Sequence, residues 1–262
     1  IFSRCSEFMD KELERQREET TALKKINSEG WTVIASEKTG YFRGFDTSLM
    51  NNYLKSSSNQ IEVLPYLNQH VWKGSPVLKL KDPISKEELP SLMFCLGISA
   101  DRHEDDGGIG GMIKLMEIAV KAMSPGINDP GTAVDVVINL GQLLNKMLQF
   151  PSLTSNKLPD GDIVVITNNI SAKDLMISIV QPIRLYSKND VVILSILIKA
   201  LTFAISGPHI SEENKEVVHE ELDALKFDLE KNVDNPIDKE RVLKLFNELN
   251  IKKLQDFDHS NK

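Results

Sequence analysis

The chain has 262 residues, 26 % of them charged, with a net charge of −7 and a pI near 5.4. This is a globular composition, long enough for one or two packed domains, and its acidic balance gives a nucleic-acid role no electrostatic support. The two cysteines, Cys5 and Cys95, make neither a disulfide framework nor a metal-ligand spacing, which points to reduced thiols in a cytoplasmic setting.

Residues 1–29 are expected to form one N-terminal connecting helix, dense in Glu, Lys and Arg, with early apolar positions Phe2, Cys5, Phe8 and Met9 at helical spacing. The opening Ile1-Phe2-Ser3 meets charge at once in Arg4, so it does not read as a signal peptide. It suits either an arbitrary start or the tail of a removed apolar segment entering water.

Residues 30–82 change character. Trp31 to Ala35 and Tyr41 to Phe45 are β-rich and separated by Glu37-Lys38-Thr39-Gly40, a plausible hairpin turn. A short helix near Thr47 to Lys55 and strands near Ile61 to Leu64 and Val71 to Leu80 follow, so the segment is expected to be a small β-barrel or sandwich-like domain. A charged linker, Asp82 to Pro90, leads to an apolar strand-like run, Leu92 to Ile98.

Residues 91–250 are expected to be a mainly α-helical domain, and 251–262 a frayed tail. Gly110 to Met123 places Met112, Ile113, Met116, Ala119, Val120 and Met123 on one helix face. Thr132 to Phe150 is a second amphipathic helix, Pro151 to Asp160 a loop and Ile163 to Thr167 a short strand. Helices over 171–186, 190–206, 211–231 and 238–250 complete an α+β chain. Val191 to Ile205 is apolar but carries Lys199 and falls short of the roughly 20 residues of a membrane span.

Two clusters are candidates for chemistry. The first is the elbow Ser124-Pro125-Gly126-Ile127-Asn128-Asp129-Pro130. Ser124-Pro125 ends one helix, Gly126 can supply a positive φ, Asp129 is a good N-cap, and Pro130 suits the first helical position. The same elbow can line a site. Asp129 repels a phosphate, so a cation or a ligand hydrogen-bonding to Asn128 and Asp129 fits the charges better.

The second cluster is Asp101-Arg102-His103-Glu104-Asp105-Asp106, in which His103, Asp105 and Asp106 are candidate ligands for a divalent cation, the one cofactor expected here. A solvated acidic loop accounts for the same residues. The two clusters flank a helix of about 14 residues, roughly 20 Å long. They share a site only if the acidic loop folds back or another subunit contributes. A metal centre at this cluster requires that Mg²⁺, Mn²⁺, Zn²⁺ or Ca²⁺ raise the melting temperature. The Asp105→Asn/Asp106→Asn variant then removes the rise, and a rise that survives it, or none at all, leaves the loop without a metal. No nucleophile elbow, P-loop or dinucleotide fingerprint is present, so no catalytic residue is assigned.

The run Leu115 to Ala133 resembles the hallmark of a bacterial family of predicted membrane proteins, domain of unknown function 2254, and is identical to it through Ser124 to Pro130. Gly40-Tyr41 through Asp46 and Val71-Trp72-Lys73-Gly74 through Leu78 resemble further runs of that family, and order and spacing agree over residues 1 to about 205. Arg102 stands where the family has an arginine upstream of the hallmark, which joins it to Ser124, Gly126, Asn128 and Asp129 as a candidate ligand-binding residue. The chain departs from the pattern at His103 and at Gly110-Gly111-Met112-Ile113.

The resemblance implies several transmembrane helices before residue 1, and hence a water-facing domain of a bacterial inner-membrane protein. Sensing, gating or assembly is then the expected role, with a metal-dependent enzyme built on Asp101 to Asp106 as the alternative. Its expected partners are its own transmembrane helices, the membrane and further copies of itself. It implies no reaction. Residues 1–25 carry equal numbers of acidic and basic side chains, so the positive-inside rule does not orient the domain; the reduced-looking cysteines favour the cytoplasm.

Overall fold

The computed structural model describes residues 1–19, 21–23, 26–101, 108–159 and 162–246. In chain order, α1 (Phe2–Glu19) is followed by β1 (Thr21–Leu23), β2 (Thr32–Ala35), β3 (Gly40–Phe45), α2 (Asn52–Ser56), β4 (Gln60–Val63), β5 (His70–Val71) and β6 (Pro76–Leu80). Then come α3 (Leu89–Phe94), β7 (Leu96–Ser99), α4 (Ile109–Ala122), α5 (Pro130–Met147), β8 (Leu153–Lys157) and β9 (Val164–Asn168). One helical stretch runs from α6 (Ala172–Leu175) through a π-helical turn, Met176–Val180, into α7 (Gln181–Tyr186). The last elements are α8 (Val191–Ala204), α9 (Glu212–Asn232) and a helix over 236–246. The chain is α+β, as expected.

The elements fall into two compact units, residues 10–110 with 150–171, and residues 1–9 with 111–149 and 172–262. In the first, a six-stranded sheet has the order β1-β8-β9-β4-β6-β2 and a three-stranded sheet the order β5-β3-β7. No closed barrel forms among the described residues. The expected hairpin of β2 and β3 is absent, because β2 pairs with β6 while β3 pairs with β5 and β7. The turn between them switches sheets: the Ser36 N–H donates to Ser75 O at 2.8 Å and the Lys73 N–H to Thr39 Oγ1 at 2.9 Å. A core of Phe42, Leu54, Ile61, Val63, Val77, Leu78, Leu80, Leu92 and Leu96 is fully or nearly fully buried.

Three further expectations are corrected locally. The first helix stops at Glu19 and gives way to β1, which pairs with β8. Residues 151–160, expected as a loop, contain β8, whose polar sequence is held by antiparallel pairing to β9. Leu92 to Ile98 is half helix, since Pro90 near the start of α3 fixes a helical φ, and only Leu96 onwards is strand.

The second unit is helical. Gly141 of α5 meets Ala200 of α8 so closely that a Cβ at Gly141 would lie 2.8 Å from the Ala200 Cβ. One turn further on, the Asn145 amide donates to Phe203 O and Ala204 O at 3.1 and 3.2 Å, joining the Ser206 N–H and hydroxyl on the first and serving the second at the end of α8. The two contacts advance together along both helices, so α5 and α8 run parallel. The π-turn has a local cause: Pro182 carries no N–H and its ring would clash with the carbonyl four residues back. The helix widens just before it, with Gln181 N–H bonded to Met176 O.

Candidate functional site

The elbow is the link between α4 and α5. Lys121 O accepts from both the Ser124 N–H, at 3.1 Å, and the Ser124 hydroxyl, at 2.7 Å, which closes off α4. Ser124 O then receives the N–H groups of Ile127 and Asn128 at 3.0 and 2.9 Å, and the Asp129 N–H returns to Ala122 O at 2.8 Å. The turn is therefore nearly saturated by its own backbone.

The left-handed residue of the elbow is Asn128, at φ 49°, and not Gly126, which has no positive φ and open space where a Cβ would be. Asn is among the few non-glycine residues that accept this conformation. That is the physical reason Asn stands beside Asp here. Asp129 caps α5: one carboxylate oxygen accepts from Thr132 N–H at 3.1 Å, the other from the Thr132 hydroxyl at 2.5 Å. Those two bonds, the hydroxyl first, hold its carboxyl below the ordinary carboxylate range. Residues 125–130 are all exposed.

A second Asp-capped turn starts α8, although Asn189, unlike Asn128, has no positive φ. Asn189-Asp190 repeats Asn128-Asp129, and Asp190 accepts from Val192 and Ile193 N–H at 2.9 and 3.1 Å. Because α5 and α8 run parallel, both Asp-capped N-termini lie at one end of the unit. Met123, from the end of α4, and the Tyr186–Val191 turn line a groove of about 440 Å³ there. The structure thus brings Ser124, Gly126, Asn128 and Asp129 together on an exposed elbow beside this groove. Arg102, His103, Asp105 and Asp106 lie outside the described residues. Among the described residues no group of three His, Cys, Asp or Glu side chains is arranged to hold a metal ion. The α8 turn was readable in advance only as a second Asn-Asp step before an apolar helix.

The elbow geometry gives a direct expectation. Asn128→Gly leaves stability unchanged or slightly raised, whereas Asn128→Val costs about 1–2 kcal/mol, since a β-branched residue resists the left-handed region; urea denaturation reads both. The Asp129 contribution runs with pH. A lowered folded value means the cap supports the fold above the ordinary carboxylate pKa and is lost as pH falls through that lower value. Asp129→Asn removes this part of the acid sensitivity, measured as the melting temperature between about pH 5 and pH 2.

The fold and the elbow together describe a helical unit with paired Asp-capped turns and, separately, an open-sheet unit. The family model of predicted membrane proteins, DUF2254, matches residues 1–202, and the chain belongs to that family. No curated protein and no solved structure matches it. Among the described residues no helix is long and apolar enough to cross a membrane.

Proposed function

We propose that the chain is the water-facing part of a multi-span membrane protein, facing the cytoplasm, and that it works in sensing or gating. The supporting observation is the family match over residues 1–202, to proteins described as predicted membrane proteins. The paired Asn-Asp turns suit a responsive element. A ligand in the groove beside Met123 and Tyr186 touches the start of α8 and the end of α4, and it acts on α5 through the close contact of α8 with α5 at Ala200 and Gly141.

Cysteine labelling in the producing cell tests the placement. Cys5 and Cys95 are 2 % and 1 % exposed, and burial pushes the Cys95 thiol up to about 11, so the native thiols are silent at neutral pH. Gly126→Cys adds one exposed thiol where a side chain meets no atom within 4 Å. The full-length variant is expected in the membrane fraction and is expected to react with a membrane-impermeant maleimide only after the cells are opened. Labelling of intact cells, or recovery in the supernatant, overturns the reading.

A further inference from the structure

Helix α8 is apolar round nearly its whole circumference, with Lys199 its one charged residue, and such a helix is ordinarily covered on every side. Here one side is open. Val192 is 55 % exposed and Phe203 49 %, and Lys199 lies exposed between them. The hydroxyls that flank this side are turned back onto the helix, Ser195 donating to Val191 O at 2.6 Å and Thr202 to Ile198 O at 2.7 Å. Apart from Lys199, the open side of α8 therefore presents no side-chain group that needs water.

The neighbouring helix extends the same face. On α5, Asp135, Ile138 and Gln142 lie about a quarter turn to one side of Gly141. On α8, Val192, Lys199 and Phe203 lie about a quarter turn from Ala200 in the opposite sense. Because the helices run parallel and touch at Gly141 and Ala200, these opposite senses point to one side of the pair. Burial agrees. Ile138 is 44 % exposed, whereas Leu140, Leu144, Leu197 and Leu201 on the other flanks are buried. Asp135 is exposed and is the one charge on the outer flank of α5. Among the described residues neither its carboxylate nor the Lys199 ammonium has a partner.

We infer that this two-helix face docks on the same face of a second copy of the chain. A two-fold axis along the helices lays α5 of each copy on α8 of the other, so Asp135 meets the partner subunit's Lys199, and Lys199 meets the partner subunit's Asp135. The face is self-complementary in charge and neutral as a whole, in a chain of net charge −7. Ile138, Val192 and Phe203 leave water on docking and supply the attraction, while the charge pairs set partner and register. The shorter helix, α8, has 14 residues and is about 20 Å long. Two helix widths of that length give a footprint near the lower limit for a specific pair, so the dimer exchanges with monomer and depends on concentration. The inference is independent of the membrane placement.

Sedimentation equilibrium of the present chain at rising concentration tests it. The mass is expected to climb from 29.4 kDa towards twice that value. Phe203→Glu weakens association by about tenfold or more. Asp135→Lys and Lys199→Glu each set like charges together and weaken it to a similar degree. Mixed in equal amounts, these two variants associate again, since each then meets opposite charge on the other. Circular dichroism at low concentration confirms that every variant is folded. A chain that stays monomeric up to its solubility limit, a dimer untouched by Phe203→Glu, or a mixture no better associated than its parts overturns the proposal. So does a monomer that sediments with phosphatidylcholine vesicles and loses this with Phe203→Glu, which assigns the face to lipid.

Discussion

Arg184→Met is expected to cost the fold about 3–5 kcal/mol, read as the shift in urea midpoint at constant slope. Arg184 lies in α7 and reaches two acids of α9. Its Nε donates to Glu221 at 2.7 Å and its Nη1 donates to Asp228. All three side chains are largely buried, at 11 %, 12 % and 15 % exposed. The two carboxylates hold the guanidinium in its charged form, against a desolvation penalty that is the largest influence on it. Removing the arginine strands two carboxylates in a dry setting, and such uncompensated charge costs more than the pair ever contributed.

Two companion variants separate this account from simple loss of packing. Arg184→Lys recovers little. Glu221 and Asp228 are two helical turns apart, about 10 Å along the axis, and one ammonium cannot serve both as a forked guanidinium does. Replacing all three residues by apolar ones of similar size recovers most of the loss. A triple variant as unstable as Arg184→Met shows that the charges are not what sets the cost.

Gly141→Leu is the second large effect, at about 3 kcal/mol or more, because the contact with α8 is backbone to backbone. A Cβ at Gly141 meets the Ala200 Cβ at 2.8 Å, its Cα at 3.0 Å and its carbonyl oxygen at 3.2 Å. None of these atoms is the end of a flexible side chain, so the helices must separate. Gly141→Ala is the sharper test. On helix propensity alone it would gain about 1 kcal/mol, yet the steric cost reverses the sign. Ala200→Gly in the Gly141→Ala background relieves the closest contact and recovers part of the loss, and the double-mutant cycle measures that coupling. If Gly141→Ala is stabilising, α5 and α8 are not held as closely as described.

What could be read in advance follows from how local its cause is. Asp129 before Pro130 announced the start of α5, since capping acts within one turn. The left-handed residue was misplaced onto Gly126 because glycine, isoleucine and asparagine stand in a row and the chain bends at only one of them. Strand β8, Leu-Thr-Ser-Asn-Lys, has no apolar alternation to betray it, and its pairing with β1 and β9 is tertiary. Glu221 and Asp228 look like the wet face of a charged helix until α7 is placed against them. The parallel course of α5 and α8 is likewise a property of packing.

The six-stranded sheet also constrains how the protein can be made. Its strand β4 lies between β6, about fifteen residues later, and β9, about a hundred residues later, with α4 and α5 of the helical unit in between. On the ribosome, then, one edge of β4 stays open while roughly eighty further residues emerge, a wait of several seconds at ordinary elongation rates. An unpaired apolar strand edge is a template for wrong partners. The nascent chain is therefore most exposed to misassembly between residues 81 and 168, and a break placed anywhere in that interval separates strands that belong to one sheet.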